Sequence, residues 1–281
     1  MKVVFVYNAQ SGSALSRQEL DETCKTAGVE VTAFVPIGDS LQEDLQPHIE
    51  NGEMIAVYGG DGTVGSVAGM IANTNAVLVP LPGGTLNHFT KDVGVPQTLT
   101  EALKRLHTLS PRTIDCAKVN NIWFVNNASI GLYPFALQQR DAIEEKLGKW
   151  PAAVVSSWRA FLRFKTYRVT IDGKTFRTPF VFVGNNRYAL SGLEIKRTDI
   201  TKGELTVYIA KTASRWRLLK VALLTLLQNK RHSTELAIHH PTSLRVVMKK
   251  KQPAVSHDGE LSHTTSPVVF EIQPGALTIL G

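Results

Sequence analysis

Met54-Ile55-Ala56-Val57-Tyr58-Gly59-Gly60-Asp61-Gly62-Thr63 is an apolar strand running directly into three glycines, an aspartate and a threonine. Helical spacing resumes at Val64 and continues through small residues to Asn73. Glycine removes the side chains that would hold phosphate oxygens away from backbone amides. A helix beginning near Thr63 aims its unpaired N–H groups and positive dipole end at the same place. Asp61 is an anion and cannot bind phosphate itself. Its natural role is to hold Mg²⁺, directly or through water, or to accept a proton. The plainer reading is a tight strand-to-helix turn that needs glycine for positive φ.

The surrounding segments fit the same pattern. Lys2–Tyr7 and Ala76–Leu81 are apolar strands, Glu30–Val35 is strand-like, and Ser13–Ala27 and Leu41–Glu50 have helical spacing. Such alternation predicts an α/β unit whose parallel sheet is covered on both faces. The loops after its strands line one rim, where such folds bind ligands. Two of those loops join Gly59–Thr63 as candidates. One is Pro82–Phe89, offering Gly84, Thr85 and Asn87; the other is Asn8–Ser13, offering Asn8, Ser11 and Gly12. Together they describe a phosphate cradle built from Gly59, Gly60, Gly62, Thr63 and these neighbours. Neither the P-loop ending Gly-Lys-Ser/Thr nor the Rossmann Gly-x-Gly-x-x-Gly occurs here.

Beyond about Arg112 the rhythm changes. Ile114–Val119, Ile122–Ala128, Tyr167–Ile171, Thr175–Val183, Leu205–Ala210, Thr234–Ile238, Ser243–Met248, Ala254–His257, Val268–Ile272 and Ala276–Leu280 read as strands. Several are parted by turns such as Asp172-Gly173-Lys174 and Pro274-Gly275. Closely spaced strands with hairpin turns predict an antiparallel sandwich or barrel. Helical insertions are expected around Phe135–Phe164 and Ser214–Gln228. The expected division is a nucleotide-binding α/β domain over 1–112 and an all-β acceptor domain over 113–281.

With 281 residues, 43% hydrophobic, the chain has the length for two such domains. Its net charge of +7 suits an anionic partner: nucleic acid, nucleotide phosphates or an acidic membrane surface. Cys24 and Cys116 show no metal-type spacing and read as reduced thiols of a cytosolic protein. The apolar run at Val3–Tyr7 is too short for a secretory leader, and without one the triplet Asn127-Ala128-Ser129 carries no glycosylation signal. Leu218–Leu227, interrupted by Lys220, is too short to span a bilayer.

Gly59-Gly60-Asp61-Gly62-Thr63, then Gly84-Thr85-x-Asn87-x-Phe89, then Asn126–Gly131, then Asp258-Gly259-Glu260 resembles the diacylglycerol kinase catalytic-domain family. That family includes bacterial lipid kinases and sphingosine and ceramide kinases. NAD kinases and phosphofructokinases share a related first loop, but the Gly-Thr-x-Asn turn and the late Asp-Gly-Glu favour the lipid branch. The resemblance implies an NAD kinase/phosphofructokinase-like nucleotide domain, a β-sandwich domain, and an active site in a cleft between them. It implies transfer of the ATP γ-phosphate to a lipid hydroxyl with Mg²⁺, by a cytoplasmic protein peripherally bound to a membrane. Nucleic acid is not an expected partner, and a homodimer stands as the candidate assembly.

Carried over by motif, Asn8, Ser11, Gly12, the Gly59–Thr63 loop, Gly84, Thr85 and Asn87 would contact nucleotide, and Asp61 would organise the metal. Glu260 would be the general base, with Asp61 its rival for that role. Diacylglycerol or another glycerolipid leads as acceptor. A sphingoid-base or ceramide-type kinase, and a nucleotide-binding regulator without catalysis, are the alternatives.

The chain also departs from its relatives. His88 stands where many have aspartate, and an imidazole there can contact phosphate or simply pack. Asp199-Ile200-Thr201-Lys202-Gly203-Glu204 replaces a turn with paired aspartates that holds a structural Mg²⁺ in similar kinases. Lysine offers no oxygen ligand, so that second metal site is expected to be absent or altered. Two basic segments bearing tryptophan, Lys149–Arg168 and Ser214–His232, are candidates for meeting a bilayer or for covering the β-domain.

Overall fold

In the computed structural model, Val3, Val4, Phe5 and Val6 of β1 (Lys2–Tyr7) are all buried. Burying such side chains contributes about 1.5–3 kcal/mol each, and a strand apolar on both faces belongs in the middle of a covered sheet. The structure describes residues 1–8, 15–131, 166–171, 173–191, 194–210, 214 and 236–281. Outside them lie the insertion expected over Phe135–Phe164 and nearly all of that over Ser214–Gln228. Most of the first basic segment also lies outside, together with Ser11 and Gly12.

From β1 the chain alternates through α1 (Arg17–Thr26), β2 (Glu30–Pro36), α2 (Leu41–Glu50), β3 (Met54–Gly59), α3 (Asp61–Ile71), β4 (Val77–Pro82), α4 (His88–Asp92) and α5 (Leu99–Arg105). The parallel order is β2-β1-β3-β4. Leu20 and Cys24 of α1 and Leu41, Leu45 and Ile49 of α2 are buried. Burial raises the Cys24 thiol to about 11. Both cysteines are buried, and no disulfide joins them.

The later strands are β5 (Pro111–Val119), β6 (Ile122–Phe124), β7 (Asn127–Gly131), β8 (Tyr167–Ile171), β9 (Lys174–Thr178), β10 (Phe180–Asn185), β11 (Tyr188–Ser191), β12 (Glu194–Arg197), β13 (Leu205–Ala210), β14 (Leu236–His239), β15 (Ser243–Val247), β16 (Ala254–His257), β17 (Glu260–His263) and β18 (Val268–Leu280). One antiparallel sheet runs β14-β13-β10-β7-β16-β17. In another, β15 pairs antiparallel with both β8 and the first residues of β18, and β8 pairs with β9. This is the antiparallel β-sandwich of the second unit, as expected.

The chain divides into two units, one of 1–116, 123–126 and 273–281, the other of 117–122 and 127–272. The first unit therefore includes the C-terminal residues, whose Thr278 and Ile279 pair parallel with Val77 and Leu78 of β4. That pairing ends two residues before Pro80, so the strand tolerates a residue with no N–H to donate.

Four elements differ from the sequence expectation. Pro274-Gly275 does not turn the chain; β18 continues through it, with Gly275 at φ 64 and its N–H donating to Asp115 Oδ1 at 2.9 Å. The strand expected over Ile122–Ala128 is broken at Val125-Asn126, and that over Thr175–Val183 at Pro179. α3 starts at Asp61 rather than near Thr63.

Candidate active site

The N-terminus of α3 is unlike those of α1 and α5. Ser16 and Glu19 form a reciprocal capping box on α1, and Thr98 accepts from the Glu101 amide on α5. On α3 the N-cap is Gly60, extended at φ −79 and ψ 179, and among the described residues no side chain caps the helix. The first-turn amides of Asp61, Gly62 and Thr63 lack intrahelical partners by the geometry of any helix start. Thr63 folds its side chain over Gly59, where an added Cβ would meet it at 2.6 Å.

The second glycine loop packs on the first, backbone to backbone. A Cβ on Gly83 would stand 2.7 Å from the Gly59 nitrogen, and one on Gly84 would stand 2.5 Å from the Gly60 Cα. The Gly83 N–H donates to the Gly59 carbonyl at 3.0 Å. These glycines are thus required by the contact between the loops. Asn87 adopts the left-handed conformation at φ 51 and ψ 46, and its Oδ1 accepts the Gly84 N–H at 2.8 Å. The Gly84 amide is therefore committed inside the turn. Thr85, Leu86 and His88 are exposed.

Asp61 ties these loops together. Its Oδ2 accepts the His88 N–H at 3.0 Å, and its Oδ1 accepts the Phe89 N–H at 2.8 Å. A residue 27 positions upstream thereby caps α4, whose own N-cap Asn87 makes no side-chain cap. Asn126, nearly fully buried, donates its Nδ2 to Asp61 Oδ1 at 3.1 Å. Sequence reasoning assigned Asn126 no role. Two signals were available: its place at the head of the Asn126–Gly131 motif, and a polar residue interrupting the apolar run Ile122–Ala128 where the strand breaks.

In the second unit, β16 and β17 form a hairpin with His257 opposite Glu260. The two residues between, Asp258 at φ 46 and Gly259 at φ 87, are both left-handed, the signature of a type I′ turn. Asp258 is buried; its N–H donates to the Asn127 carbonyl at 2.9 Å, and its Oδ1 accepts the Asn127 N–H at 3.1 Å. Glu260 is exposed as a residue, yet nearby protein displaces enough water from its carboxylate to raise its pKa. No hydrogen bond or ion pair engages that carboxylate among the described residues. Burial lowers the pKa of His257, whose Nε2 lies 2.8 Å from Ser262 Oγ.

The turn expected to lack its metal ligands is held by the protein itself. Asp199 Oδ1 accepts from the Thr201 amide at 2.8 Å, and Glu204 pairs with Arg187. The Lys202 and Gly203 amides donate to Asn186 Oδ1 at 2.7 and 3.0 Å. Among the described residues no group of three or more His, Cys, Asp or Glu side chains is placed to hold a metal ion. No described helix is long and apolar enough to cross a membrane.

A parallel α/β unit with glycine loops on its rim, followed by an antiparallel sandwich, defines a two-part fold. Residues 2–119 match the diacylglycerol kinase catalytic domain, and residues 136–281 match the YegS C-terminal NAD kinase beta sandwich-like domain. A Staphylococcus aureus (strain Newman) protein named "Putative lipid kinase" is 27% identical over 238 residues, 81% of this chain and 77% of that one. A structure described as a "putative diacylglycerol kinase from Bacillus anthracis str. Sterne" shares the fold with a TM-score of 0.72 at 23% identity, covering 99% and 96% of the two chains. A second diacylglycerol kinase structure from that strain gives 0.68 at 19%, with the same coverage. The chain belongs to the diacylglycerol kinase catalytic-domain family.

Proposed function

We propose that this chain is an ATP-dependent lipid kinase transferring the γ-phosphate to a glycerolipid hydroxyl, diacylglycerol or a close relative. The observation that carries this reading is the joining of two glycine loops by Asp61, beside a helix N-terminus that no described side chain caps. Backbone amides in that arrangement suit phosphate oxygens without a positive side chain. In this reading Gly59, Gly60, Gly62 and Thr63 cradle the phosphates. Asn8, Ser11, Gly12 and Thr85 complete the nucleotide contacts, while Gly84 and Asn87 keep the second loop in shape.

Asp61 suits Mg²⁺ through one atom. Its Oδ1 accepts two hydrogen bonds and its Oδ2 one, so a lone pair remains on Oδ2. Mg²⁺ commonly binds through one or two carboxylates plus substrate phosphates and water, so the nucleotide would supply the remaining oxygens. When bound, the ion would neutralise charge developing on the transferred phosphoryl group.

Glu260 takes the proton of the lipid hydroxyl. Its carboxylate is unengaged, and its raised pKa brings its basicity nearer the working pH. The Asp258-Gly259 turn fixes the start of the strand that carries it. The test is transfer of radiolabelled phosphate from ATP onto a panel of extracted lipids, with Mg²⁺ and an anionic carrier membrane present. Labelling of a glycerolipid is expected. If nothing is labelled the kinase reading fails, and labelling of a sphingoid base alone moves the acceptor.

A further inference from the structure

The strands β8, β9 and β15 carry a concentration of positive charge that no ion pair balances among the described residues. Their register sets residues directly opposite one another, and opposite residues of an antiparallel pair share a face. Val247 faces Arg168, and Arg168 faces Arg177. Two residues along the same face, Arg245 sits opposite Thr170, which sits opposite Thr175. The other face holds the buried Val169, Ile171, Leu244 and Val246, so the arginine face is the outer one. All three arginines are exposed, and Val247 stands among them 47% exposed.

Among the described residues, no side-chain hydrogen bond or ion pair engages the three arginines. Arg168 and Arg177 lie on neighbouring strands about 5 Å apart, where like charges repel. The described residues of β8, β9 and β15 include no carboxylate. Glu271, on β18, is paired with Ser243 at the opposite end of β15 from Val247. Past Val247 the chain enters the exposed run Lys249-Lys250-Lys251, adding cations at the end of the sheet where Arg168 and Arg177 stand.

We infer that this face docks on an anionic lipid bilayer, holding the protein where its acceptor resides. The inference rests on the lipid-kinase reading for its choice of a bilayer over other polyanions. Charge complementarity names the occupant. A face of guanidinium and ammonium groups matches a dense plane of phosphate headgroups, and Val247 adds an apolar contact beside Arg168. The sequence alone pointed to helical segments for this task. The outer sheet face shares Arg168 with the first of those segments and adds Arg177 and Arg245, which only strand register brings onto one face with it.

Vesicle flotation tests it without turnover. The wild-type protein should float with vesicles of phosphatidylglycerol and phosphatidylcholine, release as salt rises, and ignore pure phosphatidylcholine. Arg168→Gln/Arg177→Gln/Arg245→Gln should weaken that partition by roughly 100-fold, given the contribution of each basic residue near an anionic surface. A second variant, Lys249→Gln/Lys250→Gln/Lys251→Gln, should weaken it in the same direction. Phosphorylation of a short-chain, water-soluble acceptor should be unchanged in both. Vesicle binding by the arginine variant equal to wild type overturns the inference. So does wild-type protein that ignores anionic vesicles, whether or not it binds duplex DNA. If flotation behaves as expected while no lipid is phosphorylated, the kinase reading fails and the docking face stands.

Discussion

Asp61-Gly62 and Asp258-Gly259 are the same dipeptide used in two ways. The first opens a helix, with its aspartate at the first helical position. The second forms the left-handed turn of a hairpin. In both, the aspartate is committed to backbone amides of a distant segment: His88 and Phe89 for Asp61, Asn127 for Asp258. Glu260, the residue after the second dipeptide, has no such commitment, and its pKa is displaced upward by lost hydration. The contrast separates holding from reacting. An acid that already accepts three hydrogen bonds is suited to fix geometry, whereas a free acid short of water is suited to take a proton.

Altering the free acid should have the largest effect. Glu260→Gln keeps the shape and removes the proposed base, so phosphate transfer should slow by about 10²–10⁴-fold, a barrier increase of roughly 3–5 kcal/mol. The raised pKa disfavours the ionised form in the folded protein, so the neutral variant should be no less stable than wild type at pH 7 by thermal unfolding. In wild type the transfer rate should fall as pH drops through this raised pKa, at a higher pH than for an ordinary glutamate, and rate measurements across mild acid check this.

Asp61→Ala removes three hydrogen bonds to a carboxylate and should cost about 2–4 kcal/mol in chemical denaturation. Gly84→Ala drives a Cβ against the Gly60 backbone and should cost about 1–3 kcal/mol, with weaker ATP binding by titration. Gly259→Ala is the mildest. A Cβ there meets nothing within 4 Å, so only the left-handed backbone is penalised, by about 1 kcal/mol.

The sheet of the first unit was readable because its central strands are apolar on both faces, as in Val3–Val6 and Ile55–Val57. The same signal fails at the end of the chain. Ala276–Leu280 is equally apolar whether it closes a hairpin or returns to pair with β4, and pairing partners leave no mark on one strand's composition. The glycine loops were readable as loops, but half of the reason for their glycines was not. Gly83 and Gly84 are small because another backbone lies against them, and that neighbour is more than twenty residues away. Asp61 was legible as important and not as a cap, because its partners are amides that every residue type carries. Asp-Gly is a hairpin dipeptide by its own conformational preference, whereas the grip of Asp258 on Asn127 depends on β7 lying beside β16.

The division between holding and reacting is tested most directly by measuring ATP affinity and single-turnover transfer side by side in Asp61→Ala and Glu260→Gln. The expected result is a clean split. Glu260→Gln binds ATP as wild type does and transfers about 10²–10⁴-fold more slowly, while Asp61→Ala loses ATP affinity. Near-normal transfer by Glu260→Gln would contradict the account and assign the proton to Asp61.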